Sequence, residues 1–248
     1  MSKFEPDIRG FSARAEAIAG VGQLPPPTLP GYIATWIADR IQFGDFKPGE
    51  AVRELAIADH FDVSRGPVRE ALRQLDRDGL ITLRGRKGAV VRELTPKETR
   101  SLFLIRAELF AAQVSLAANA PSPPQATLDA MKDGTDLLMH LAAEPDETDI
   151  GEYIMVRRGI AALIVSISGA WYLAGLSRGY ENEIGMLWAS ILRPERRQAS
   201  ADRWAALCEA IAAHRSREAE RLARDLVLES FEEIQRLTAT RPGSPAKA

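Results

Sequence analysis

Arg65, Arg69 and Arg73 fall four residues apart in the stretch Phe61-Asp62-Val63-Ser64-Arg65-Gly66-Pro67-Val68-Arg69-Glu70-Ala71-Leu72-Arg73-Gln74-Leu75. At that interval three guanidinium groups share one helix face, and each fork can hydrogen-bond bidentately to a phosphate or a guanine edge. Val68, Ala71, Leu72 and Leu75 repeat at i, i+3, i+4, i+7, so the same helix has a side to bury. Ser64 stands at the N-cap, its hydroxyl expected to accept from the Gly66 amide because Pro67 has no amide to offer. Val63 and Val68 have the spacing of a hydrophobic staple, and Gly79 provides the stop. A solvated face is the ordinary fate of such an arginine row. Local charge argues for nucleic acid instead. Residues 64–92 hold eight Lys/Arg (Arg65, Arg69, Arg73, Arg77, Arg84, Arg86, Lys87, Arg92) against three acids (Glu70, Asp76, Asp78), in a chain whose formal balance is −2.

The whole chain, 248 residues with 46% hydrophobic and 27% charged, has room for two domains. Its one cysteine, Cys208, excludes a disulfide framework and fits a reducing cytoplasm. Met1 to Asp7 lacks the apolar core of a secretory signal. Gly159 to Ser177 carries no formal charge over a length that could span a membrane. Ser166, Ser168 and the Ser168-Gly169-Ala170 break interrupt it, however, and Arg157, Arg158 and Arg178 flank it. Two helices meeting in a buried core explain it better, and no membrane is expected.

The elements around the arginine row are legible in order. Residues 1–29 form an arm ending in Pro25-Pro26-Pro27, and whether it packs is open. Tyr32, Ile33, Trp36, Ile37 and Ile41 make a helical stripe stopped by Gly44 and Pro48-Gly49. A short helix from Val52 to His60 leads into the turn before the central helix. Leu80 to Leu83 and Ala89 to Val91 read as strands about the basic turn Arg84-Gly85-Arg86-Lys87-Gly88. Together they make a winged helix-turn-helix over residues 30–94, with a wing able to reach the minor groove. Thr95-Pro96-Lys97-Glu98 is a capping box that opens an all-helical region, 95–238, followed by a tail, 239–248. Leu102, Ile105, Leu109 and Val114 stripe its first helix, and Ser122 caps the second. The third turns Ile150, Tyr153, Ile154, Ile160, Leu163, Ile164 and Ile167 inward. A fourth runs through Trp171, Leu176, Tyr180, Ile184 and Trp188, Ser200 opens a fifth, and Ser216 opens a last one carrying Leu222, Leu226, Phe231 and Ile234. The fold class is mainly α, a winged helix-turn-helix plus a bundle of about six helices.

Lys47-Pro48-Gly49, Val52-Arg53-Glu54, Ile57-Ala58, Phe61 to Arg65, Pro67 to Leu72, Leu75, Asp78 to Ile81 and Arg86-Lys87-Gly88 resemble the GntR family of bacterial repressors over about residues 30–92. The helical half, with Ser168-Gly169 near its centre, resembles the FadR-like branch with an FCD domain. The resemblance implies a cytoplasmic homodimer that binds double-stranded operator DNA and a small-molecule effector. It implies that Arg65, Gly66, Arg69 and Lys87 touch DNA, with Ser64 and Arg53 beside phosphates. Arg73, Arg86 and Gly88 complete the expected surface. Leu55 stands where some relatives carry a further basic residue.

Many members of this branch are expected to hold a divalent metal with one aspartate and three histidines. Matched through Ser168-Gly169 and Ala210-Ile211, those positions fall here on Arg157, Ala161, Trp204 and Leu226, so no metal cofactor is expected. His60, His140 and His214 are the chain's three histidines, and they do not rebuild such a site. Arg157 and Arg106 then become candidates to bind an effector's carboxylate or phosphate, with Tyr153, Trp171 and Trp204 lining the same place. The alternative for Arg157 is a buried ion pair or solvent. Three functions compete. The first is a repressor answering to an anionic metabolite, or in a metal-free apolar site to a larger acyl-type ligand. The second is an enzyme, which the lack of a nucleophile–base signature or phosphate loop argues against. The third is a winged helix used for protein contacts alone, against which the arginine row argues.

Overall fold

The computed structural model describes residues 7–20, 28–42, 45–84, 88–144, 150–173, 175–176 and 193–239. In chain order its elements are α1 (Ile8–Ile18), α2 (Leu29–Gln42), β1 (Ala51–Val52), α3 (Glu54–Phe61), α4 (Arg65–Arg77), β2 (Ile81–Leu83), β3 (Ala89–Val91), α5 (Pro96–Ala118), α6 (Gln125–Ala143), α7 (Ile150–Ser168), α8 (Pro194–Ala212) and α9 (Ser216–Ala239). Contacts divide the chain into two units: residues 22–102 with 175–188, and residues 1–21, 103–174 and 189–248.

In the first unit, Ile33, Ala34, Ile37 and Ile41 of α2 meet Ile57 and Ala58 of α3 and the fully buried stripe Val68, Ala71, Leu72 and Leu75 of α4. Tyr32, expected in the α2 stripe, is 54% exposed; Ala34 takes its place inside. The turn between α3 and α4 is made by Asp62 in the left-handed region (φ 51°), a conformation that a short polar side chain tolerates. α4 ends as expected: Gly79 adopts φ 77° and the Leu80 amide donates to Leu75 O at 3.0 Å. At its start, Ser64 has the extended backbone of an N-cap but its hydroxyl makes no capping bond, so the expected Ser64–Gly66 interaction is not formed.

The wing is one strand larger than expected. Val52, assigned from sequence to a helix, lies in β1, and α3 starts only at Glu54. The sheet order is β1-β3-β2, antiparallel throughout, with Val52 opposite Ala89 and Ile81 opposite Val91. A two-residue strand gives almost no periodic signal, which is why it is read as helix.

The capping box forms fully. Thr95 N donates to Glu98 Oε2 at 2.8 Å, and Glu98 N donates to Thr95 Oγ1 at 3.2 Å. These bonds, first the backbone one, and then Arg92 hold the Glu98 carboxyl down to about 2. A carboxyl depressed in the folded state contributes stability present above pH 4.5 and lost as pH falls toward 2. Thr95→Ala removes the hydroxyl partner and keeps the backbone one, so the Glu98 titration, followed by NMR, is expected to rise only part of the way toward the ordinary carboxylate range.

In the second unit, α6 packs on α7 and α8, α8 on α9, and α1 on both α6 and α7. The arm left open by sequence thus includes a helix, capped by Asp7, whose carboxylate accepts from Gly10 N at 2.8 Å. The α5 stripe differs from expectation: Ile105 is 44% exposed, and Phe103, Ala107, Ala111, Val114 and Ala117 face inward. By length and composition α5 could cross a membrane. Here that face is buried in protein, while Glu108 meets Arg224 of α9 at 3.0 Å. The uncharged stretch 159–177 is divided by the end of α7 and by Gly169 at φ 62°. Pro124, not Ser122, occupies the cap of α6, and α8 starts at Pro194, leaving Ser200 buried in mid-helix. The expected fourth helix falls largely outside the described residues. α8 stops at His214 (φ 57°), whose Nδ1 lies 2.9 Å from Ala118 O at the end of α5. That histidine therefore has a structural employment.

Candidate nucleic-acid interface and effector site

Because α4 buries Val68, Ala71, Leu72 and Leu75, its remaining face must carry Arg65, Arg69 and Arg73, and all three are exposed. Arg53, at the N-cap of α3, is exposed too. Arg69 Nε donates to Glu54 Oε1 at 2.8 Å, joining α4 to α3; the sequence reading missed this pair because it spans fifteen positions. Gly66 is informative by elimination. Its φ is not positive, and an added Cβ would meet only Ser64 Oγ, at 3.7 Å. Neither the backbone nor the packing among the described residues requires glycine there, whereas close approach by an external backbone would. Gly88, at φ 74° with open space around it, meets a turn's demand, and Arg84 N donates to its carbonyl at 2.8 Å. Arg86 and Lys87 lie outside the described residues.

The helical unit gathers four of the five expected effector residues. Arg157 of α7 is 5% exposed, and its guanidinium carbon lies 5.5 Å from the Trp204 ring centroid on α8. Phe110 of α5 packs on the same indole at 5.6 Å between centroids. Tyr153, one turn before Arg157, is fully buried; its hydroxyl donates to Arg197 O at 3.0 Å. Burial pushes the Arg157 guanidinium down to about 10; Tyr153 opposes the shift, and the like charges of Arg106 and Arg196 add to it. At neutral pH it remains a cation in a nearly dry place. Arg196 has its own acid, Glu229 at 3.1 Å, which also pairs with Arg203. Trp204 is 4% exposed and its indole Nε1 has no acceptor among the described residues. Trp171 does not join them: it is 52% exposed, beyond Gly169. Arg196 and Arg197 are the residues missed, since they sit on the first turn of α8, ahead of Ser200, where the sequence places the start of the helix.

Cys208, one turn after Trp204, is buried and its thiol is pushed up to about 12 by burial, so it is no nucleophile at neutral pH. As a donor set for a divalent cation, Arg157, Ala161, Trp204 and Leu226 do not fit: they offer a cation, a methyl, an N–H donor and an isobutyl group. Among the described residues no three His, Cys, Asp or Glu side chains gather to hold a metal.

Two family models match this chain. That of the bacterial regulatory proteins, gntR family, covers residues 32–91, and that of the FCD domain covers residues 101–229. The HTH-type transcriptional regulator YdhC of Bacillus subtilis (strain 168) is 35% identical over 42% of this chain and 47% of its own length. The HTH-type transcriptional repressor GlaR of Escherichia coli (strain K12) is 30% identical over 59% of this chain and 65% of its own. The matched stretch thus spans less than two thirds of either relative. Among solved structures, E. coli McbR/YncC matches with a TM-score of 0.73 at 19% identity, covering 85% of this chain and 99% of that one. A GntR structure from Rhodococcus sp. RHA1 matches with 0.67 at 23% identity, over 86% and 99%. At such identities the likeness is one of fold.

Proposed function

Because the chain belongs to the gntR family of bacterial regulatory proteins and carries an FCD domain, we propose that it is a repressor of transcription. In this reading it grips a pseudo-palindromic operator as a homodimer and is released or retuned by a small anionic metabolite in the helical unit. The observation that carries the reading is the exposed row Arg65, Arg69 and Arg73 on a helix whose opposite face is fully buried, beside a Gly66 that nothing among the described residues requires. α4 enters the major groove, with Arg65 and Arg69 on guanine edges or phosphates and Arg73 along the backbone. Arg53 and Ser64 lie beside phosphates, and the wing residues Arg86, Lys87 and Gly88 follow the adjoining minor groove. Two-fold symmetry of the protein sets half-sites about one helical turn apart. The effector acts by linkage: preferring one of two placements of the winged units, it shifts operator affinity by its differential binding to them. The ligand leaves unaltered, since no catalytic step belongs to this reading, and the work is done in the cytoplasm.

A salt-titrated gel shift on genomic fragments tests it. Log affinity is expected to fall against log salt with a slope of roughly −5 or steeper, at about 0.9 per neutralised phosphate, and one sequence should be preferred. Equal, weakly salt-dependent binding to every duplex would overturn the assignment.

A further inference from the structure

We infer that the α7–α8 site takes the carboxylate of an effector with an apolar body directly, between the Arg157 guanidinium and the Trp204 indole N–H, with no divalent metal between protein and ligand. The inference rests on the reading that the helical unit binds an anionic effector, and it names how that anion is held.

Three observations carry it. Trp204 is 96% withdrawn from solvent, and its Nε1 donor meets no acceptor among the described residues. A buried donor left unmatched is unfavourable, and a phenylalanine would supply the same apolar packing without it. An indole at this position calls for an acceptor that the described residues do not supply, and a ligand's carboxylate would be one. Second, the cation over that indole is itself buried. In so dry a place a guanidinium favours an oxyanion far more strongly than at the surface. Third, the two donors belong to adjoining helices with 5.5 Å between guanidinium carbon and ring centroid. A single carboxylate has two oxygens, one for each of these donors.

The remaining walls select the ligand's body. Phe110 against Trp204 offers two aromatic faces. Tyr153 has its hydroxyl proton directed to Arg197 O, so it adds apolar ring surface more than a free donor. A hydroxy-acid recognised by chelation needs a metal, which Arg157, Ala161, Trp204 and Leu226 do not fit. A carboxylate on an aromatic or aliphatic body does fit them. The same residues could make a purely structural stack, so the test must separate the indole N–H from the indole ring.

Trp204→Phe does this, since it keeps an aromatic ring under Arg157 and removes the donor. The full-length protein, treated with EDTA and exchanged into metal-free buffer, is titrated calorimetrically with benzoate, hexanoate and octanoate. Benzamide and inorganic phosphate serve as comparisons, with and without added Zn²⁺ or Mn²⁺. At least one carboxylate is expected to bind without metal, unaffected by either ion, while benzamide does not. Trp204→Phe is expected to weaken that binding about tenfold or more, and Arg157→Lys, which keeps the charge but loses the fork, by a similar factor. Circular dichroism melting establishes that each variant is folded; if Trp204→Phe does not fold, Arg157→Lys alone decides. Binding that appears only with a divalent ion, binding of phosphate and no carboxylate, unchanged affinity in a folded variant, or no binding by any probe overturns the inference. None of these results touches operator binding, whose loss would instead overturn the regulator reading.

Discussion

Phe11→Ala is expected to lower the stability of the helical unit by about 3–5 kcal/mol, read as a fall in the denaturation midpoint of the full chain. Phe11 is 2% exposed, and its ring fills a notch defined by two glycines on different helices. A Cβ on Gly134 of α6 would lie 2.6 Å from Phe11 Cζ, and one on Gly159 of α7 would lie 2.7 Å from Phe11 Cε1. Ile8, Ala15 and Ala19 are buried along the same side of α1, and Arg14 reaches Asp133 at 2.6 Å. That exposed ion pair adds at most about 1 kcal/mol, so apolar burial dominates. Truncating the ring leaves a cavity between three helices that the backbones cannot close. The reverse substitution gives a sharper check. Gly159→Ala in the natural chain gains about 1 kcal/mol of helix propensity but forces the ring to move, with a net loss. In the Phe11→Ala background the ring clash is gone and only the Ala15 Cβ contact at 3.3 Å remains, so the same change should cost clearly less. Destabilisation by Gly159→Ala of equal size in both backgrounds would mean that the ring does not occupy the notch. Since Gly159 lies two residues from Arg157 on α7, this helix also steadies the segment that carries the buried cation.

α1 shows why part of the fold was not legible. Its stripe of Ile8, Phe11, Ala15 and Ala19 is short and alanine-rich, and the partner surface is a pair of glycines more than a hundred residues away. Local periodicity cannot reveal a hole. The winged unit was readable because its signals are dense: a four-position apolar repeat, a Gly79 stop and two strands with a basic turn. The reading failed where tertiary contact outweighed pattern. Ile105 fits an inward stripe by spacing, yet it is exposed, and Phe103, Ala107 and Ala111 of the adjoining face are the residues buried. Ser64 marked the right residue for the wrong bond. At the candidate effector site Arg157, Tyr153, Trp204 and Arg106 are singled out by their types, and the structure brings them near one another. Arg196 and Arg197 were lost because α8 begins six residues before Ser200, with only Pro194 to announce it.

Replacing Arg65, Arg69 and Arg73 together by alanine is expected to cost at least about 3 kcal/mol of operator affinity, more than a hundredfold, with the salt slope flattened by about one per lost phosphate contact. The fold should barely notice. None of the three contributes to the core of the winged unit, and the attachment of Arg69 to Glu54 is a pair whose arginine is 59% exposed. A melting curve close to that of the natural chain, beside a lost gel shift, would separate a direct contact from a folding defect. Glu54→Gln sharpens the assignment further. It leaves every arginine in place but removes the negative charge that holds the Arg69 guanidinium in one direction. If Arg69 reads a base, the variant should bind non-specific duplex more tightly and discriminate its operator less, because the freed fork can reach phosphates on any sequence. If Arg69 is only a surface partner of Glu54, neither affinity nor discrimination will move, and the row shrinks to Arg65 and Arg73. The two variants together therefore distinguish a helix that reads sequence from one that merely carries charge.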